Sequence, residues 1–118
     1  MKAIMKIAIL ALALNSISAF ARPAQCLLVV DGVTYLNGVC NFSPNDHEGS
    51  FSIGAAGKAG DKISKYFAYV SIETDGTVDG YWNGKEQDEN ASEQLGKLQR
   101  NGACRFNDRA IICAWALN

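Results

Sequence analysis

Along residues 65–73, Tyr66, Ala68, Val70 and Ile72 fall on one face of an extended chain and Phe67, Tyr69 and Ser71 on the other. This two-residue period predicts a β-strand, and aromatic rings on both faces place it inside a sheet rather than at its edge. Thr74-Asp75-Gly76-Thr77 then reads as a hairpin turn, with residues 78–83 returning as the partner strand. The same pattern opens the chain's first apolar block. Residues 26–30 and 33–36 are rich in β-branched and aromatic side chains and flank Asp31-Gly32, a strong hairpin signal. A short alternating stretch, residues 50–53, predicts another strand, and residues 102–115 predict a closing hairpin with Ile111, Ile112, Ala114 and Trp115 as its core. Ala91, Leu95 and Leu98 recur at helical spacing, but Gly96 weakens a helix and residues 95–99 also alternate, so a short helix and a turn followed by a strand are both open. The polar stretches 41–49 and 84–90 and the Gly- and Ala-rich stretch 54–60 read as loops. The predicted fold is mostly β, a compact antiparallel sheet or sandwich with at most one short helix.

One apolar run does not fit this scheme. Lys2 and Lys6 precede eight apolar residues, Ile7 to Leu14, and Ala19-Phe20-Ala21 supplies the small residues of a cleavage site. The run is far short of the roughly 20 residues a spanning helix needs, so residues 1–21 read as a signal peptide and residues 22–118 as one mature domain. No cysteine follows the cleavage site directly, which favours a protein free in the periplasm, or secreted, over a lipid-anchored one. Cleavage leaves nine Lys and Arg against twelve Asp and Glu, a formal charge of −3. Without a basic patch there is no electrostatic footprint for nucleic acid, and no second apolar run for a membrane.

All four cysteines, Cys26, Cys40, Cys104 and Cys113, lie in the predicted mature part, where an even count reads as a disulfide framework. Three connectivities are open. Cys26–Cys40 with Cys104–Cys113 is favoured because each pair brackets its own turn signal. For the second pair a four-residue loop sets Phe106 opposite Ile111 and Cys104 opposite Cys113. For the first, a two-residue turn sets Cys26 opposite Asn37, three residues short of Cys40, so a bulge near Gly38 is required. The thirteen and eight residues inside these pairs lack the close spacing of zinc sites, and no metal or other cofactor is expected.

Candidate chemistry is sparse. The only histidine sits in Asp46-His47-Glu48, and no nucleophile elbow, phosphate loop or zinc-protease motif occurs. The flanking carboxylates of His47 could assemble a metal or acid–base site in principle, but three adjacent loop residues converge poorly on one atom, and a solvated loop tip is the favoured reading. Gly80-Tyr81-Trp82-Asn83-Gly84 places two large aromatics and an amide at a strand end, as partner anchors or sugar-stacking groups would be. Strand neighbours face opposite ways, so one of Tyr81 and Trp82 is expected in the core and the other at the surface. Asn41-Phe-Ser43 and Asn90-Ala-Ser92 match glycosylation sequons and are read as chance matches beside a bacterial-type signal.

Residues 49–54 (GSFSIG), 66–70 (YFAYV), 80–84 (GYWNG), 95–98 (LGKL), 102–104 (GAC) and 112–115 (ICAW) resemble the core of a group of small exported proteobacterial proteins. In general shape that group is similar to periplasmic lysozyme inhibitors and to immunity proteins against peptidoglycan-degrading effectors. The resemblance implies a non-enzymatic binding protein for a cell-wall hydrolase, with either the 41–49 or the 84–90 loop entering the target's cleft; the residues themselves offer Asp46, His47, Glu48, Tyr81, Trp82 and Asn83 as candidate contacts. A homodimer is left open. A small glycan-binding module or glycan-acting enzyme using carboxylates and Trp82 is the competing expectation.

Overall fold

A computed structural model describes residues 21–55 and 64–117. Residues 1–20 of the predicted signal peptide 1–21, and the part of the predicted 54–60 loop beyond Ala55, lie outside the described residues. Nine strands form one antiparallel sheet: β1 (Arg22–Val30), β2 (Val33–Pro44), β3 (Phe51–Ile53), β4 (Ala68–Ile72), β5 (Val78–Trp82), β6 (Glu93–Lys97), β7 (Gln99–Asn101), β8 (Cys104–Phe106) and β9 (Ala110–Ala116). Their spatial order is β6-β5-β4-β3-β2-β1-β9-β8-β7. Sequence neighbours therefore pair throughout except β6 and β7, which form the two edges, and the first strand pairs with the last. The two edges, β6 and β7, are halves of one run interrupted at Leu98, whose amide donates to the Val78 carbonyl (2.8 Å). The sheet is thus nearly closed on itself, and the run 93–101 is its seam.

The hydrophobic period explains the filling. In β1, Ala24, Cys26, Leu28 and Val30 are buried while the residues between them are only half-buried. Ile53, Val70, Trp82 and Ile112 join them from the other strands at 2% exposure or less, so side chains occupy the space inside the sheet. Two register shifts add to this. Tyr35 is the extra residue opposite the Leu28/Val29 step, and Leu95 the extra residue opposite Gly80/Tyr81. Both pack with the core. Leu95 and Leu98 come close to Gly80, where a Cβ would stand 2.8 Å from the Leu98 Cδ1. The helical spacing of Leu95 and Leu98 thus belongs to a strand with a bulge and a break, and the described residues contain no helix.

Both disulfides form as favoured from the sequence, Cys26–Cys40 and Cys104–Cys113. Cys104 and Cys113 face each other directly and Phe106 faces Ile111, the register expected of the four-residue loop. The first bridge departs from expectation. Asp31 and Gly32 adopt φ of 53° and 79°, a tight turn of the left-handed kind that strand twist favours. The bulge that follows lies at Tyr35, not near Gly38, and absorbs one residue of the offset. Cys26 therefore faces Gly38, and the bridge spans the remaining two residues diagonally across a Cα separation of 5.9 Å. Cys26 and Cys40 belong to the core cluster, whereas Cys113 alternates with Ala110, Ile112 and Ala114 and lies on the outer face of the sheet, where it is nonetheless buried at 1% exposure. The same alternation corrects the predicted core of the last hairpin. Ile111 and Trp115 are 38% and 42% exposed, because a strand facing the interior can turn only every second residue inward.

Candidate functional site

Strand direction gives the sheet two ends. The turn at Asp31-Gly32, the segment 83–92 and the turn 107–109 meet at one, and the 45–50, 73–77 and 102–103 turns at the other. At the first end Arg109 is held on three sides. Its Nε donates to both oxygens of Asp31 (3.2 and 3.3 Å), Nη1 to the Gln94 carbonyl (2.9 Å) and Nη2 to Oε2 of Glu93 (3.3 Å). The hydrogen bond to Asp31, followed by the charges of Asp31 and Glu93, raises the Arg109 pKa further above its ordinary value. The same Glu93 oxygen accepts from Nε1 of Trp82. Trp82 in turn packs against Tyr35 and Tyr66, with ring centroids 4.7 and 6.1 Å away.

A cavity of about 330 Å³ opens beside this network, and Asp31, Glu86, Asp88 and Glu93 line it together with Lys85 and Arg109. Residues 85–90, which include Glu89, are exposed around it. The loop's path is fixed from behind by Asn83. Its Oδ1 accepts from the Phe67 amide (2.9 Å), and its Nδ2 donates to the carbonyls of Lys65 (3.1 Å) and Asp88 (3.3 Å). The Asp88 amide donates to the Asn83 carbonyl (2.9 Å), closing the turn. The arrangement is a mouth rich in carboxylates with a fixed cation at its rim.

The other predicted contact group sits at the opposite end. Asp46, His47 and Glu48 are exposed in the β2–β3 turn, where Oδ1 of Asp46 accepts from the amides of Glu48 (2.8 Å) and Ser50 (3.0 Å). The Ser50 hydroxyl and then the Glu48 amide hold the Asp46 carboxyl below its ordinary pKa. A carboxylate with a depressed folded-state pKa keeps its contribution above the unfolded value and loses it as pH falls through the folded one. The order of this turn should therefore be kept above the ordinary carboxylate range and be lost as acid takes the pH below it. NMR titration of the Glu48 and Ser50 amides should give a midpoint below the ordinary Asp value of about 3.9, absent in Asp46→Asn. A midpoint at or above that value would contradict the arrangement.

The structure thus separates the six candidate contacts. Asp46, His47 and Glu48 share one end, and Tyr81, Trp82 and Asn83 belong to β5 and the turn that leads to the other. Of the two rings, Trp82 is the inward one at 2% exposure. Tyr81 lies on the outer side, stacked on Tyr69 with centroids 6.1 Å apart. Asn83 is buried with all its bonds inside the chain, so neither Trp82 nor Asn83 presents a side chain to a partner. Both act through what they hold: Trp82 positions Glu93, and Asn83 positions the 84–90 loop. The sequence marks Asp31 only as a turn residue and gives Glu93 and Arg109 no signal at all, since each is an ordinary polar residue near a turn. No group of three His, Cys, Asp or Glu among the described residues is placed to hold a metal ion.

The fold defines a small disulfide-tied β protein built as one nearly closed antiparallel sheet. Comparison of the chain with protein-family models, curated proteins and solved structures returns no match. No helix among the described residues is long and apolar enough to cross a membrane.

Proposed function

We propose that the chain is a non-enzymatic binding protein of the periplasm that inhibits, or gives immunity to, a peptidoglycan-degrading enzyme of the lysozyme type. The observation that carries this reading is the carboxylate-rich mouth, where Asp31, Glu86, Asp88 and Glu93 surround one cavity and Arg109 and Trp82 fix its geometry. Hydrolases that work on anionic cell walls are commonly basic, and complementary charge speeds encounter and sets orientation. The 84–90 loop is the segment that enters the target's cleft. A turn anchored by Asn83 on a disulfide-tied sheet loses little freedom on docking, which favours affinity. Two disulfides fit an oxidising compartment, and residues 1–21 supply the route to it. A glycan-binding reading through Trp82 is less well supported, since that residue borders the cavity but is only 2% exposed and leaves little ring surface for a sugar to stack on.

The test is inhibition of basic lysozyme-type hydrolases by the oxidised protein. Near-stoichiometric inhibition is expected, with an association rate that falls as salt rises. Glu86→Lys/Asp88→Lys should slow association about tenfold or more while changing dissociation far less, as steering charges do. Full activity of every hydrolase at equimolar protein, or saturable binding of soluble peptidoglycan fragments instead, would overturn the reading.

A further inference from the structure

At the end of the sheet opposite the acidic mouth, Arg100 of β7 and Arg105 of β8 are direct cross-strand partners. Like charges placed directly opposite each other in a sheet repel. Arg105 is also paired with Ile112, an inward residue that is fully buried, so this second cation belongs to the inner row of its strand. Both arginines line a cavity of about 240 Å³ whose apolar wall is Phe42, Phe51 and Ala114. The two phenyl rings lie 5.3 Å apart, and a third guanidinium, that of Arg22, sits 5.2 Å above the Phe42 ring. No carboxylate is among the residues that line this cavity, and none among the described residues bridges to Arg100 or Arg105. Desolvation, and then the charge of Arg100, hold the Arg105 pKa below its ordinary value, the direction expected of a cation facing a cation. Two repelling cations at an apolar cavity are a cost to the fold that a bound anion would reverse.

We propose that this cavity is a binding site for a carboxylate carried on a short apolar group. The guanidinium fork matches a carboxylate in bidentate fashion, and an apolar wall beside it takes the attached group. A cavity of this size holds a ligand of about one amino-acid residue, so the source is either the C-terminal residue of a peptide or a free organic acid. The site lies apart from the acidic mouth and does not depend on the function proposed for it.

The experiment is an NMR titration of the oxidised protein, expressed from the full-length sequence, with N-acetylphenylalanine, phenylpropionate, N-acetylphenylalanine amide and inorganic phosphate. Saturable shifts at Phe42, Gly102 and Arg105 are expected with the two carboxylates and not with the amide. Tighter binding of N-acetylphenylalanine would identify a peptide terminus, and of phenylpropionate a free acid. Arg105→Gln should weaken binding at least tenfold while the melting temperature stays level or rises, because the substitution also relieves the repulsion. Arg100→Gln should do the same to a smaller extent. Absence of saturable shifts with either carboxylate, equal binding of the amide, or phosphate binding as tight as the carboxylates would overturn the assignment. A fall in melting temperature in both variants without loss of binding would show the arginines to be structural.

Discussion

Trp82→Ala is expected to destabilise the protein by about 3–5 kcal/mol, the range for truncating a buried aromatic. A domain of this size has about 5–15 kcal/mol in total, so the variant should sit near the limit of folding at 37 °C. The ring is 2% exposed and packs against Tyr35 and Tyr66, so its removal leaves a void between β2, β5 and the segment that leads into β4. Its Nε1 also holds Glu93, which Arg109 grips from the other side. Trp82→Phe keeps an aromatic ring in the core and loses the hydrogen bond and part of the indole's volume, so it should cost less than the alanine variant. Urea denaturation followed by far-UV circular dichroism checks the ranking. Equal stability of Trp82→Ala and the unmodified protein would mean that this ring does not fill the core.

The second large effect concerns the inner disulfide. Cys26→Ala/Cys40→Ala should lose about 2–5 kcal/mol, the usual cost of removing a bridge from a small domain. It should lose more than Cys104→Ala/Cys113→Ala. The chain separations of 14 and 9 residues make the entropic contributions nearly equal, with the longer loop slightly ahead. The difference comes from packing. Cys26 and Cys40 both belong to the core cluster, so their loss opens space that the strands must collapse to fill; Cys113 is as buried as Cys26, but it lies outside that cluster and its partner Cys104 is half-buried, so removing the outer bridge opens less space. Denaturation midpoints of the two double variants, measured under one set of conditions, decide this. An outer-bridge variant that is the less stable of the two would refute the placement of the sulfurs.

What could be read from the sequence was what neighbouring residues decide together. Tyr66 to Ile72 alternate visibly, Asp31-Gly32 marks its turn, and the Cys104–Cys113 register follows from counting around a four-residue loop. Tyr35 and Leu95 were harder, because a bulge is invisible until the partner strand shows which residue is the extra one. Without the bulge at Tyr35 the diagonal span of Cys26–Cys40 could not be placed. The acidic mouth was further from reach. Asp31 and Arg109 are 78 residues apart, and they meet only because the first strand pairs with the last. The opposed Arg100 and Arg105 lie only five positions apart, yet their like charges gain meaning from the register of β7 on β8. Trp82 and Asn83 illustrate a different limit: the motif was visible, but which ring faced outward required the sheet.

The pairing of β1 with β9 also sets an order of events during folding. Each hairpin carries its own turn and its own sulfur pair, so residues 22–44 and 104–116 can form and oxidise from local contacts alone. Closing the ring must wait until the final strand reaches the initial one, and such distant pairings make β proteins slow, on the order of milliseconds to seconds. In that interval the free edge of β1 and the apolar row Cys26, Leu28 and Val30 lie uncovered. A second chain can supply its own last strand there, which makes intermolecular exchange the characteristic misfolding route. Refolding yield should accordingly fall with protein concentration even when both disulfides are kept intact.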